Sequence, residues 1–242
     1  MRQRAFWAVL VFAGILAVAG TVQADMISRT YDFSDAESGL AARATFYLDL
    51  ARPDLLGIEL VNMSTSLPEW FDSADQILTG VSFDLRGPQI MTGQAFIGEG
   101  GRSINFSRVS HPLGPWANVS GEWGYGNDGT TGMLPNLVSS MTAHTTPFPG
   151  ANLDGPVNLN GPQGGLVPQT PLLSLGGQGA IAGPVVMALQ LDRGLENLAF
   201  LDRGSIVEFG SNAAYLNSSV PEPASLGLLS LLGLGVVCRR RK

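Results

Sequence analysis

Apolar and polar residues alternate with a period of two in run after run of this chain, and that pattern narrows its fold more than any other feature. In Ala44-Thr45-Phe46-Tyr47-Leu48-Asp49-Leu50 one side collects Phe46, Leu48 and Leu50, while the other carries Thr45, Tyr47 and Asp49. Residues 56–60, 81–85, 187–191 and 207–209 repeat the pattern. Alternation of this kind marks strands with one face buried and one wet. Between the runs sit Arg52-Pro53-Asp54, Arg86-Gly87-Pro88, Asn127-Asp128-Gly129 and Asp192-Arg193-Gly194, combinations that impose or tolerate turn geometry. Asn127-Asp128-Gly129 is the strongest hairpin candidate, because its residues take positive φ most easily. No window keeps a 3.6 period beyond two turns; the nearest, residues 66–78, suits one short helical turn in a connection. Strands without crossover helices predict an all-β body, an antiparallel β-sandwich or jelly roll. The Gly-, Pro- and Asn-rich stretch from about residue 147 to 179 reads as a long loop laid over that sandwich.

The two ends are of another kind. The opening segment, MRQRAFWAVLVFAGILAVAGTVQA, puts Arg2 and Arg4 before an apolar stretch and closes on Val22-Gln23-Ala24, with small residues at the positions a signal peptidase reads. Residues 1–24 therefore read as a secretory signal peptide cleaved after Ala24. The apolar stretch is shorter than the roughly 20 residues that a retained spanning helix needs. The exported body is then residues 25–219, and the tail is residues 220–242.

Charge and cysteine usage agree with export. The body carries eight arginines, no lysine and 19 acids, a net charge of −11. Such a surface repels phosphate backbones and excludes a nucleic-acid partner. The one cysteine, Cys238, lies in the tail, so no disulfide staples the body and its stability must come from its core. A chain of this length buries about 70% of its unfolded surface, which suffices.

Catalytic constellations are scarce. The body has no Gly-x-Ser-x-Gly elbow, no His-Glu-x-x-His, no phosphate loop and no cysteine nucleophile. His111 precedes Pro112 in a turn and His144 sits among threonines, positions that suit surface residues better than a general base. Asn152-Leu153-Asp154-Gly155 and Asn127-Asp128-Gly129 resemble fragments of a calcium loop, yet neither continues into alternating acids with a closing Glu. The expectation is no metal and no cofactor. Trp123 and Tyr125, near Trp116, are spaced to form a stacking platform for a sugar ring, and the same spacing suits a core anchor that pins a loop. Carboxylates paired across strands would make a glycan hydrolase, but strand-to-strand spacing is not legible in one sequence.

The tail carries the sharpest signal. Pro221-Glu222-Pro223 is followed by an apolar run over residues 224–238 and by Arg239, Arg240, Arg241 and Lys242. The run is short for a membrane-spanning helix but bridges the hydrocarbon if the cations snorkel into headgroups. Cations directly after a span stay on the cytoplasmic side, so the body faces outward. Two prolines hold an extended backbone that a protease groove accepts, and Glu222 offers a charge to pair with. Tripeptide, span and basic cluster in this order resemble the bacterial PEP-CTERM sorting signal. The resemblance implies that an exosortase, a membrane cysteine protease and transpeptidase-like enzyme, processes the tail at or near residues 221–223. The partners it implies are signal peptidase, the exosortase and, transiently, the inner membrane.

In the body, Ala44-Thr45-Phe46, residues 57–64 and residues 76–85 are similar to the first three strands of β-sandwich surface proteins that commonly carry this signal. Residues 121–125, 176–187 and 207–211 are similar to their later elements, and Met63 departs from the Thr that such proteins often have there. The resemblance implies location and architecture: an exported structural or adhesive protein of the cell surface or extracellular matrix, and not an enzyme. The alternatives are a lectin-like domain that binds exopolysaccharide through Trp123 and Tyr125, or a glycan hydrolase.

Overall fold

The protein is described by a computed structural model over residues 26–129, 132–141, 152–154, 164–211 and 213–218. The signal segment with Ala24, the tail with its apolar run 224–238, His144 and Cys238 lie outside the described residues. Among the described residues no helix is long and apolar enough to cross a membrane.

Two sheets pack face to face. The first has the order β1 (Met26–Ser34), β2 (Ala41–Asp49), β3 (Leu55–Asn62), β11 (Val185–Leu191) and β5 (Ile90–Ile97), each pair antiparallel. The second runs β13 (Ala214–Asn217), β12 (Ile206–Phe209), β4 (Leu78–Phe83), β9 (Leu166–Val167), β10 (Ala180–Ala182) and β6 (Arg102–Ile104). One edge of β4 is shared: Leu78 pairs with Leu166, while its remaining length pairs with β8 (Asn136–Ser139), which in turn holds β7 (Gly124–Gly126).

The alternating runs became the inner faces. Ala42, Ala44, Phe46 and Leu48 of β2 are buried, as are Leu56, Ile58 and Leu60 of β3 and Met187, Leu189 and Leu191 of β11. Leu50, on the same side of its run by parity, is 41% exposed because the chain turns after Asp49. Phe46 occupies the centre of the sandwich. Its ring meets Tyr31, Phe83 and Phe200 edge-on at 6.4, 5.4 and 6.3 Å, so one side chain of the first sheet bonds to an aromatic of the second and to the short 3-10 turn over Ala199–Arg203. Edge-to-face pairs add about 0.5–1.5 kcal/mol each to what burial supplies.

Three expectations need correction. The stretch 147–179 is not only a covering loop: Leu166 and Val167 are fully buried and form β9, parallel to β10 through a crossover of residues 168–179. Parallel pairing needs about a dozen connecting residues, and this connection supplies them. Gly165 permits the approach, since a Cβ there would lie 2.6 Å from Ile77 Cγ2 and 2.7 Å from the Leu78 carbonyl. Second, residues 127–129 do open a hairpin, β7 pairing antiparallel with β8, but through a longer connection than a tight turn. Asn127 is used otherwise, its amide tying both the N–H and the carbonyl of Ile90 at 2.8 and 2.9 Å. Third, within residues 66–78 there is no helix: residues 66–77 form turns, held by Asp72 accepting the Ala74 N–H at 2.7 Å and Asp75 accepting the Asp72 N–H at 3.1 Å, and Leu78 opens β4.

The free edge of β5 is covered. Ile97 bonds to Ala117 and Trp116 at 3.0 and 2.7 Å, Val119 donates to Ala95 at 2.9 Å, and Asp154 donates to Gly93 at 2.7 Å. Covering the edge removes a template for pairing with another chain. Strand polarity sorts the loops into two ends. Residues 50–54, 84–89 and 192–205 share one pole with the start of β1 and the end of β13, whereas residues 35–40, 63–77 and 98–101 share the other.

Candidate functional site at the exit of the tail

Ser218, where the described body ends, is buried and locked to the start of β12. Its N–H donates to the Ser205 carbonyl at 2.9 Å, its Oγ accepts the Ser205 N–H at 2.9 Å, and Ser205 Oγ donates to the Ser82 carbonyl at 2.6 Å. These bonds continue the β12–β13 ladder, in which Ile206 faces Asn217, by one more rung. Each contributes about 0.5–1.5 kcal/mol, and leaving the buried Ser205 N–H unmet would cost more than the bond itself supplies.

Pro221, Glu222 and Pro223 lie outside the described residues, as do Arg239, Arg240, Arg241 and Lys242. The clamp still constrains them through chain length. Ser219 and Val220 alone separate Ser218 from Pro221. At about 3.5 Å per residue, Pro221 stays within roughly 11 Å of Ser218. An enzyme that reads this tripeptide therefore works against the wall of the sandwich, or first unzips β13.

The paired aromatics are placed inward. Trp123 is 1% exposed and belongs to the core; its indole N–H is buried without a hydrogen-bond partner among the described residues, and its carbonyl accepts the Leu153 N–H at 3.0 Å. Tyr125 is half-buried, and its hydroxyl donates to the Met91 carbonyl. Burial, with the Asp154 carboxylate adding to it, pushes its phenol above the ordinary tyrosine range. The buried Trp123 ring offers no open face to a sugar. Trp116 is 41% exposed, and Trp70 is 79% exposed in the loop held by Asp72 and Asp75 and packed edge-on against Phe71 at 6.5 Å. Its neighbours Pro68, Glu69 and Asp72 were the available signal, since a tryptophan set among turn-formers and acids has little core to join.

Exposed His111 borders a cavity of about 150 Å³ whose lining includes Ser103, Asn105, Phe106, Val109 and Ser110 and no carboxylate. No acid–base pair is assembled there. Among the described residues no three His, Cys, Asp or Glu side chains converge as a metal site. Asn62 has a structural role: its amide is 4% exposed and donates to the carbonyls of Gln76 at 2.9 Å and Leu166 at 3.0 Å.

No curated protein and no solved structure matches the chain. The family model described as the PEP-CTERM protein-sorting motif matches residues 219–242, beginning at the residue after the Ser218 clamp. That motif makes an exosortase the processing partner, and export through a membrane-anchored intermediate the route. A β-sandwich tied off at Ser218 thus passes directly into its address, and the chain carries a PEP-CTERM sorting signal over residues 219–242.

Proposed function

We propose that this protein is a structural or adhesive component of the cell surface or extracellular matrix, released to that place when an exosortase acts at Pro221-Glu222-Pro223. On this reading the chemistry belongs to the enzyme, and the chain is its substrate. The observation that carries it is the contiguity of clamp and motif: a packed, edge-protected body ends at Ser218, and the sorting signal starts at the next residue. Residues 224–238 would hold the precursor in the inner membrane, with Arg239, Arg240, Arg241 and Lys242 on the cytoplasmic face. Removal of residues 1–24 by signal peptidase would leave the mature body to begin beside β1.

A body of net charge −11 without disulfides suits an extracellular load-bearer whose fold is independent of redox conditions. Binding of exopolysaccharide is the second reading. Trp70, exposed on a loop stiffened by Asp72 and Asp75, favours it over a platform at Trp123 and Tyr125.

The test is intact mass and fractionation of the protein from its own host, with and without Glu222→Ala. Wild type should be trimmed near residue 223 and leave the membrane fraction, while the variant should accumulate full-length in the membrane. A variant trimmed and released like wild type would overturn the sorting role.

A further inference from the structure

We infer that the pole from which the tail emerges is a membrane-docking surface, seated on the lipid headgroups while the tail is still inserted. The inference rests on the sorting reading above and goes beyond it, assigning a face of the body to the bilayer.

Chain length supplies the first argument. Residues 219–223 alone separate the Ser218 clamp from the apolar run that begins at Ala224. Fully extended they span about 20 Å. Some 5–8 Å of that is taken by the headgroup layer itself. The loops nearest the exit therefore ride at the membrane surface, and the opposite pole does not: β1 and β2 are nine residues long, which sets the poles about 30 Å apart. The start of β1 lies at the same pole, since Met26 pairs with Asp49.

Charge supplies the second. The far loops, residues 35–40, 63–77 and 98–101, hold Asp35, Glu37, Glu69, Asp72, Asp75 and Glu99, against Arg102 at the adjoining end of β6. At the exit pole, residues 50–54, 84–89, 127–129 and 192–205 hold Arg52, Arg86, Arg193 and Arg203 against Asp54, Asp84, Asp128, Asp192, Glu196 and Asp202. Four of those acids are already paired, Arg52 with Asp54, Arg193 with Asp192, Arg203 with Asp84, and Arg29 of β1 with Asp202. An anionic bilayer repels the far pole more strongly, so the field and the tether select the same orientation.

Side chains at the pole fit an interface. Arg86 is exposed, held in the left-handed region at φ 57°, and has no ion-pair partner among the described residues. Leu50, in the β2–β3 loop at the same pole, is 41% exposed, and Met91, one residue into β5, is 53% exposed. A free guanidinium with apolar neighbours can meet a phosphate while its flanks reach the acyl boundary.

The test uses the full chain, with Cys238→Ser, in nanodiscs of phosphatidylethanolamine and phosphatidylglycerol whose headgroups carry a nitroxide quencher. A fluorophore is placed at Gln89→Cys on the exit pole or at Glu37→Cys on the far pole. Docking predicts loss of fluorescence at residue 89 and none at residue 37. Adding Arg86→Glu and Leu50→Asp should restore much of the signal at residue 89 while the chain stays in the disc. Equal quenching at the two positions, or quenching at 89 indifferent to the two substitutions, overturns the docking surface. Failure of the chain to co-elute with discs overturns the anchored intermediate as well, which distinguishes the two failures.

Discussion

Asn62→Ala is the substitution that most directly tests how the two sheets are joined. Asn62 ends β3 in the first sheet, and its side-chain amide donates to Leu166 of β9 in the second at 3.0 Å and to Gln76 in the approach to β4 at 2.9 Å. Its Oδ1 accepts the Ser64 N–H at 3.1 Å, and the residue is 4% exposed. Alanine leaves two carbonyls and one N–H buried without these partners. At about 1–3 kcal/mol per abandoned buried group, and with partial relief where water enters the space left by the amide, the expected loss is about 3–5 kcal/mol. A single domain has about 5–15 kcal/mol in hand, so the effect is a large share of the whole. Guanidinium unfolding followed by tryptophan fluorescence reads it, with the slope of the transition held as a check on two-state behaviour. Asn217→Ala, at an exposed position near the end of β13, is the control and should change stability by less than about 0.5 kcal/mol. A loss below about 1 kcal/mol at Asn62 would refute the reasoning, because the carbonyls of Gln76 and Leu166 would then be satisfied without it.

The tyrosines offer a pH test. All four are pushed upward: Tyr31, Tyr47 and Tyr125 by burial first, and Tyr215 by burial and the Glu208 carboxylate to about 12. The raised folded values mean that the stabilisation is whole below the unfolded value of about 10 and declines as pH rises from there through the folded values. Phenolate absorbance of the folded protein should therefore lag behind that of the unfolded chain, stability should fall above pH 10, and Tyr215→Phe should flatten that fall; coincident folded and unfolded titrations would contradict it. Trp123→Ala should cost about 3–5 kcal/mol in the same guanidinium assay, whereas Trp70→Ser should leave stability within about 0.5 kcal/mol. If exopolysaccharide binds, its pull-down should weaken in Trp70→Ser at unchanged stability; unchanged binding would remove the second reading.

How much was legible in the sequence depended on the length of the pattern. β2, β3 and β11 hold seven to nine residues, enough turns of a two-residue period to stand out, and each lies where the alternation placed it. β9 has two residues between Gly165 and Pro168, and β6, β7 and β10 have three, too few for any periodicity. Their place is decided by β4 and by each other, contacts from distant chain that local pattern does not carry. β1 and β5 were missed for another reason: β1 alternates only over Thr30–Ser34, after Met26 and Ile27 set two apolar residues side by side, and β5 contains Gly93 and Gln94. The sorting tripeptide was legible because order along the chain is its whole content. Trp123 was ambiguous because a buried and a ligand-stacking tryptophan differ only in what covers the ring.

The topology also orders the events that precede sorting. β12 and β13 are neighbours in sequence and pair locally, but Val207 of β12 must find Val81 of β4, and the Ser205–Ser218 clamp must settle on Ser82. Contacts across more than a hundred residues form slowly because loop closure has to be met before they stabilise anything. The second sheet is therefore incomplete until the last four-residue strand has cleared the membrane, and the residues that clear it next are the sorting signal itself. On the proposed reading, a chain held by residues 224–238 at that moment would gain time: its C-terminal hairpin would stay tethered beside the pole where β4 ends, at a raised local concentration, until the clamp closes. Cleavage before closure would release a body whose β4 edge is bare and prone to pair with another chain, while cleavage after it releases a finished sandwich. On that reading the short spacing between Ser218 and Pro221 would do two things with one piece of chain: keep the unfinished hairpin near its docking edge, and keep the scissile region against the folded wall once docking is done.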